Sequence, residues 1–465
     1  MSQAFAICSR ALLSNSLPWL VLFAVIRGVT PTDVVWYIST NGSSNIATCG
    51  HSIDTPCNSL QLILDQSPLF DNSSTKCHLS TGDDDGRSST TVYFLEGVHF
   101  VPPVCLMNWT NLRIVGLGNV TITSQDSIAA PRAFFEFRQC SNVSIEDIAN
   151  FDTSFIAKST LYFDTTSDIR ISRCVFPVVR KQSTGVTIQR TKGTVDIIDS
   201  LFVGNAEPAT TESYGLSIEH GCGGDGRNDD VCLINFADPH APVDPLEPFH
   251  LTIRNTNFTD FTVENAAPND RYSSTMSDTI GMRIRFLRGS VNNTVLIENV
   301  QSSRNVNPAG SHMLVNFNRD SSGSTVRFVN CKFEENKVRY GGGIAAYFSS
   351  GTKDNSLVIE DSKFVNNVAD FEGGGVFVAY LESTESNIVW IARNKFERNQ
   401  AYSGAGVFMF NSPSFSDQTG LFDPVPLPLV TANISNCTFM HNKATQLKEG
   451  VINLLRMLFR ISGVR

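Results

Sequence analysis

A phrase that returns every 31 or 32 residues constrains this chain more than any other feature. It reads Val326-x-Phe328, Asn330, Cys331-x-Phe333-x-x-Asn336, then Gly341-Gly342-Gly343-Ile344. The next copy is Leu357-x-Ile359, Asp361, Ser362-x-Phe364-x-x-Asn367, Gly373-Gly374-Gly375-Val376. A third is Val389-x-Ile391, Asn394, Phe396-x-x-Asn399, Gly404-x-Gly406-Val407. A fixed period of this length marks a repeat architecture and is read before anything else.

The phrase has a physical reading. Apolar residues at i and i+2 place two side chains on one face of a strand. The next apolar residue comes five positions later, and an odd step breaks the period of two, so a corner lies between. Asn or Asp stands at that corner, where a short polar side chain tolerates left-handed backbone and bonds its own turn. The glycine run is a second corner, with positive φ or close backbone approach. Apolar strands follow it, at Ile344 to Tyr347, Val376 to Ala379 and Val407 to Phe410. Short strands joined by Asn and Gly corners describe one coil of a parallel β-helix.

The apolar pairs recur as Leu112/Ile114, Val143/Ile145, Ile169/Ile171, Val195/Ile197, Leu251/Ile253, Val295/Ile297, Val326/Phe328, Leu357/Ile359, Val389/Ile391 and Ala432/Ile434. Two positions on stand Asp147, Asp199, Asn255, Asn299, Asn330, Asp361 and Asn436, with Arg173 and Arg393 as exceptions. The reading is an all-β, right-handed single-stranded parallel β-helix, a solenoid of about ten coils with an N-terminal cap. Residues 31–91 form the cap and a loop, 92–455 the helix, and 456–465 a short basic tail. Insertions at 221–249 and 411–428 project as loops, being rich in Gly and Asp or in Pro. Asn305, Asn336, Asn367, Asn399 and Asn442 are expected to stack as an amide ladder. Each lies three residues after Ser302, Phe333, Phe364, Phe396 or Phe439, and the four rings are expected to fill the core beside the amides.

The chain has 465 residues with a formal net charge of −9, which argues against nucleic acid as a partner. Residues 1–28 read as a signal peptide: Arg10, an apolar run from Leu17 to Ile26, then Arg27 and Gly28. No other stretch is long and apolar enough to span a membrane. Of eleven cysteines, Cys8 lies in that segment. Cys49 with Cys57, and Cys222 with Cys232, bracket loops and read as local disulfides. Cys174, Cys331 and Cys437 sit two before the ladder position and read as packed small side chains. Asn-x-Ser/Thr sequons at Asn41, Asn72, Asn108, Asn119, Asn142, Asn257, Asn292, Asn433 and Asn436 fit a secreted or cell-surface glycoprotein.

The F-x-x-N phrase followed by glycines is similar to the repeats of chlamydial polymorphic outer-membrane proteins and related right-handed β-helix proteins. The stretch Trp36-Tyr37-Ile38-Ser39-x-Asn41-Gly42 through Pro56-Cys57-x-Ser59-Leu60, with Phe94-Leu95-x-Gly97-Val98-His99, resembles the opening of pectin-lyase-like β-helix proteins. The resemblance covers nearly the whole chain beyond residue 30. It implies the fold; the cysteines and sequons resemble a eukaryotic extracellular relative. Some relatives cleave acidic polysaccharides, so fragments of a hydrolase site are weighed: Asp229-Asp230, Glu219-His220-Gly221 and Arg190-x-Lys192. They stand in reversed order and lack the N-T-D element, and inverting hydrolysis needs two carboxylates facing one bond. The acidic loop Asp225 to Asp230 and the run Asp83-Asp84-Asp85 lack EF-hand spacing and read as solvated loops. No cofactor or metal is expected. The favoured function is non-catalytic contact with a glycan, matrix or extracellular protein, because fold alone supplies no chemistry. The alternative is a lyase or glycoside hydrolase acting on an acidic polysaccharide.

Overall fold

The computed structural model describes residues 34–45, 49–65, 69–72, 75–79, 89–123, 133–152, 159–178, 184–204, 214–221, 245–263, 279–308, 310–318, 320–349, 351–381, 384–412, 431–445, 452–455 and 458–464. The expected signal peptide lies outside them.

The apolar pairs stack because each is held in register with the pair one coil on. Val326 and Phe328 lie beside Leu357 and Ile359, which lie beside Val389 and Ile391. All ten pairs stand in one parallel sheet. Neighbours in that sheet run in chain order, from Val34–Ser43 to Leu458–Ser462. A second long sheet runs alongside, from Leu69–Asn72 to Ile452–Leu455, and two shorter sheets of 8 and 5 strands complete the wall. Apart from the antiparallel hairpin Leu69–Asn72 with Thr75–Leu79, the described pairings are parallel. The chain is a right-handed parallel β-helix, the hand that parallel crossovers take.

The first sheet has thirteen rungs along its main path, not about ten. The three beyond the ten apolar pairs are Val34–Ser43, Thr90–Phe100 and Leu458–Ser462. The segment expected as a cap therefore begins as a rung, paired in parallel with Thr90–Phe100. The tail likewise adds a rung on Thr431–Ser435. Thirteen rungs at about 4.8 Å span roughly 58 Å between the first and the last. The cap's short helix, Leu60–Leu64, starts at Ser59, whose side chain accepts from the Gln61 N–H at 3.1 Å. No described helix is long and apolar enough to cross a membrane.

One coil shows the geometry. Thr325–Val329 of the first sheet ends at Asn330, with φ 53°. Lys332–Glu334 of the third sheet ends at Glu335, with φ 56°. Lys337–Val338 belongs to the fourth sheet, the Gly341 turn follows with φ 60°, and Ile344–Phe348 joins the second sheet. The first corner is left-handed at Asp147, Arg173, Asp199, Asn255, Asn299, Asn330, Asp361, Arg393 and Asn436 alike. Arg is a poor left-handed residue by local preference. At Arg173 and Arg393 the guanidinium forks onto the carboxylate one rung before: Arg173 Nη2 is 2.8 Å from Asp147, and Arg393 Nε is 2.8 Å from Asp361. Bidentate pairing across rungs offsets the backbone cost.

Cys49 and Cys57 are bonded, and so are Cys77 and Cys105, which the spacing alone did not pair. The second bond joins positions that stack in register, since His78 pairs with Leu106. Cys222 and Cys232 lie outside the described residues. Cys140, Cys174, Cys331 and Cys437 are free thiols buried in the wall. Burial pushes the thiols of Cys140, Cys174 and Cys331 up to about 12, so these cysteines pack as inert small side chains.

Candidate functional site

The amides singled out in the sequence lie inside the cylinder. Asn305 Nδ2 donates to Asn336 Oδ1 at 2.7 Å, Asn336 to Asn367 at 3.0 Å, Asn367 to Asn399 at 3.0 Å and Asn399 to Asn442 at 2.9 Å. Each accepting oxygen also takes the backbone N–H of the preceding Asn. The first four are fully buried. Beside them Phe333, Phe364, Phe396 and Phe439 stack with ring centroids 4.8, 4.7 and 4.7 Å apart. A second internal ladder, not singled out in the sequence, runs through Asn293, Ser324, Asn355 and Asn387. Its signal was present: each residue stands two before the first member of an apolar pair. Both ladders satisfy buried backbone groups and offer nothing to a ligand.

The phenylalanine stack is interrupted once. Phe151, Phe176, Phe202 and Phe258 stack in the early coils, and Phe333 resumes after Ser302. Opposite, the second sheet holds glycine at Gly185, Gly215, Gly281, Gly343 and Gly375, because a Cβ at Gly343 would stand 2.5 Å from the Phe364 ring. On the Ser302 rung that position is His312. The imidazole fills the space a phenyl ring fills elsewhere, with Nδ1 2.8 Å from Ser302 Oγ and Nε2 buried without a partner. Burial alone pushes its pKa down to about 3.

The fragments of a hydrolase site do not converge. Arg190 is bound bidentately by Asp164. Lys192 reaches Glu247 at 3.4 Å. Glu219 and His220 are consecutive strand residues on opposite faces. His220 is buried, its ring atoms engaged by Ser290 Oγ at 2.9 Å and the Glu247 carbonyl at 3.1 Å, and burial pushes its pKa down to about 4. Asp229 and Asp230, the loop from Asp225 and the run Asp83 to Asp85 lie outside the described residues. Among the described residues no group of three His, Cys, Asp or Glu side chains could hold a metal ion. Four described carboxylates depart from their ordinary pKa, and all four move down. Hydrogen bonds from Arg304, Arg393 and Lys395 act chiefly on Asp260, Asp361 and Glu397. At Glu146 burial pushes up but is outweighed by Arg113, Ser144 and Arg173.

The densest polar network outside the cylinder core lies on the second sheet, and most of it is buried, with Glu136, Tyr162, Asp164, Thr187, Ser217 and Glu219 all little exposed. Two in-register rows run along its outer face over five rungs. One is Glu136, Tyr162, Thr187, Ser217 and Arg283; the other is Arg138, Asp164, Gln189, Glu219 and Arg285. Glu136 binds Arg138 at 2.7 Å, and Asp164 binds Arg190. Glu219 accepts from Arg283 at 2.8 Å, Arg285 at 3.1 Å and Gln189 at 3.1 Å. The Arg283 guanidinium also lies 4.1 Å from the centre of the Tyr214 ring. Farther along the face the rows turn apolar and aromatic, with Leu314, Tyr347, Phe377, Ala379 and Phe408 forming a cluster separate from the cylinder core.

The sequons fall into two geometric classes. Asn108, Asn142, Asn292 and Asn436 have left-handed backbone, Asn142 within the strand Ser141–Glu146, whereas Asn41, Asn119, Asn257 and Asn433 lie in strands without it. Asn72 ends the Leu69–Asn72 strand, and its side chain lies outside the described residues.

No family model matches the chain, and no curated protein matches it. Solved structures similar to it include the periplasmic alginate epimerase AlgG, 11% identical over 86% of this chain and 83% of that chain, with a TM-score of 0.33. Another is PfbA, a surface adhesin of Streptococcus pneumoniae, 12% identical over 77% and 84%, with a TM-score of 0.35. A third is the A-module of the Azotobacter vinelandii mannuronan C-5 epimerase AlgE4, 13% identical over 81% and 87%, with a TM-score of 0.22. Overlap at this level carries no function from one chain to another.

Proposed function

We propose that this chain is a non-catalytic, secreted or cell-surface protein of a eukaryotic cell that contacts a glycan or an extracellular protein with its β-helical wall. The observation that carries the reading is the double row on the outer face of the second sheet. Arg138, Arg283 and Arg285 are planar donors fixed by Glu136 and Glu219. Arg283 and Arg285 share one strand and Arg138 lies four rungs away, so hydrogen-bonded strands fix the donors before any ligand arrives. Preorganised, multidentate donors lower the ordering cost of recognition. The same observation weighs against catalysis, since every carboxylate in these rows is held by an arginine. An acid–base pair needs one carboxyl raised and a second free to act.

The test is binding of the secreted protein to a panel of neutral and acidic polysaccharides, with and without calcium, alongside product analysis. Binding without new reducing ends or unsaturated sugars is expected. It should weaken at least tenfold in an Arg283→Ala/Arg285→Ala variant, the loss of about 1.4 kcal/mol or more. Turnover of an acidic polysaccharide would establish the lyase or hydrolase reading instead. Unchanged binding in the arginine variant would remove this face from the account.

A further inference from the structure

Asn433 and Trp390 occupy equivalent positions on neighbouring rungs of the first sheet. Val389, Ile391, Ala432 and Ile434 point into the core, so Ile388, Trp390 and Asn433 alternate onto the outer face. Trp390 is 39% exposed and Ile388 44%. Together they form a small exposed apolar strip on the sheet face, open to a partner. The partner's point of attachment is next to it. Asn433-Ile434-Ser435 is a sequon whose Asn and Ser share the outer face, being two residues apart in a strand.

Four of the other sequons are less suited. Asn142 Nδ2, the nitrogen that would carry sugar, already donates to Asn111 Oδ1 at 2.7 Å. The Asn292 and Asn436 side-chain oxygens lie so close to Gly323 and Gly463 that a Cβ there would stand 2.3 and 2.2 Å away. Beside Asn257, the Thr259 hydroxyl donates to Asp260 and accepts from Arg304. Asn433 differs from these four: its buried Oδ1 accepts no hydrogen bond from a neighbouring rung.

We propose that Asn433 carries an N-linked glycan whose first sugar lies over the Trp390 indole. This rests on the reading of the chain as secreted through a glycosylating compartment. The donor is a lipid-diphosphate-linked oligosaccharide. The Asn433 amide nitrogen forms a bond to its anomeric carbon, the bond from that carbon to the diphosphate oxygen breaks, the amide proton passes to a base, and the lipid diphosphate leaves. Adjacent rungs are about 4.8 Å apart, so a pyranose on the Asn433 amide reaches the Trp390 ring without leaving the sheet surface. Its C–H face covers the apolar indole while its hydroxyls stay in water. The glycan thereby covers the exposed Trp390 ring.

Two measurements on protein secreted from glycosylating cells test this. Site-by-site mass analysis after glycosidase treatment should find Asn433 occupied. Acrylamide quenching of tryptophan fluorescence then reads the stacking. Trp36 and Trp109 are buried, and Trp19 lies in the expected signal, so accessible emission comes from Trp390. Enzymatic removal of glycan should raise quenching in the wild type, leave Trp390→Phe unchanged, and bring the wild type to the level of Asn433→Gln. An empty Asn433 in protein whose other sequons are occupied overturns the proposal and leaves the secretion reading standing. An occupied Asn433 with quenching indifferent to deglycosylation overturns the stacking. All sequons empty overturns the secretion reading and this proposal with it.

Discussion

The Ser302 rung offers a sharp test of how this core is built. Seven coils place a phenylalanine at this position of the third sheet, and one coil places Ser302 there, opposite His312. If the two positions share one volume, they are coupled. Ser302→Phe alone would force a ring into the space of a fully buried imidazole; overpacking of this kind costs about 1–3 kcal/mol or more. It would also remove the hydroxyl that bonds His312 Nδ1 at 2.8 Å, leaving both ring nitrogens without partners. A buried polar atom so orphaned costs about 1–3 kcal/mol. His312→Gly alone would empty the site between the Phe258 and Phe333 rungs, a cavity cost of about 3–5 kcal/mol offset by removal of the unpartnered Nε2.

The double variant Ser302→Phe/His312→Gly behaves differently. It restores the arrangement of Phe364 opposite Gly343, and the new ring continues the stack from Phe258 to Phe333. Two new aromatic pairs contribute about 0.5–1.5 kcal/mol each. The double variant should therefore unfold in urea at or above the wild-type midpoint, while both single variants unfold well below it. The coupling energy in the cycle should be at least about 3 kcal/mol, at the upper end of what contacting residues show. Additive single effects, within about 0.5 kcal/mol, would mean the positions do not share space and would refute the reasoning.

The same rung makes stability depend on pH. Folded His312 stays neutral down to about pH 3 and His220 to about pH 4, whereas both bind a proton near pH 6.5 when unfolded. Between these limits only the unfolded chain is protonated, so stability falls as pH drops from about 6.5, by up to about 1.4 kcal/mol per unit for each histidine. Urea melts from pH 7.5 to 4 should show this slope, and the Ser302→Phe/His312→Gly variant should lose the His312 share of it; an unchanged slope would assign the effect elsewhere. Asn367→Leu removes the acceptor of Asn336 N–H and Nδ2 and the donor to Phe333 O and Asn399. It should cost about 1–3 kcal/mol in a denaturant melt, and Phe364→Ala about 3–5 kcal/mol; a silent Asn367→Leu would show that water replaces the ladder.

What the sequence disclosed follows from stacking. A residue that must fit against its own copy one rung away is constrained by that copy, so the same residue type recurs at the same spacing. That is why the apolar pairs, the Asn positions and the left-handed corners could be read without a structure. Residues whose partner is a different residue leave no such trace. Arg173 and Arg393 break the Asn/Asp rule at the corner because each answers a carboxylate on the rung before, Asp147 or Asp361. Cys77 and Cys105 are equivalent positions on adjacent rungs, but neither belongs to the clear repeat. The outer rows of the second sheet were illegible for a related reason. Glu219, Arg283 and Gln189 meet in space only after coils of unequal length are brought into register. His312 and Ser302 carry the argument furthest. Each is an exception to its own row, and each is explained only by the other, ten residues on and across the cylinder. In a solenoid, paired departures from the repeat therefore locate contacts through the core, while the repeat itself locates contacts along the wall.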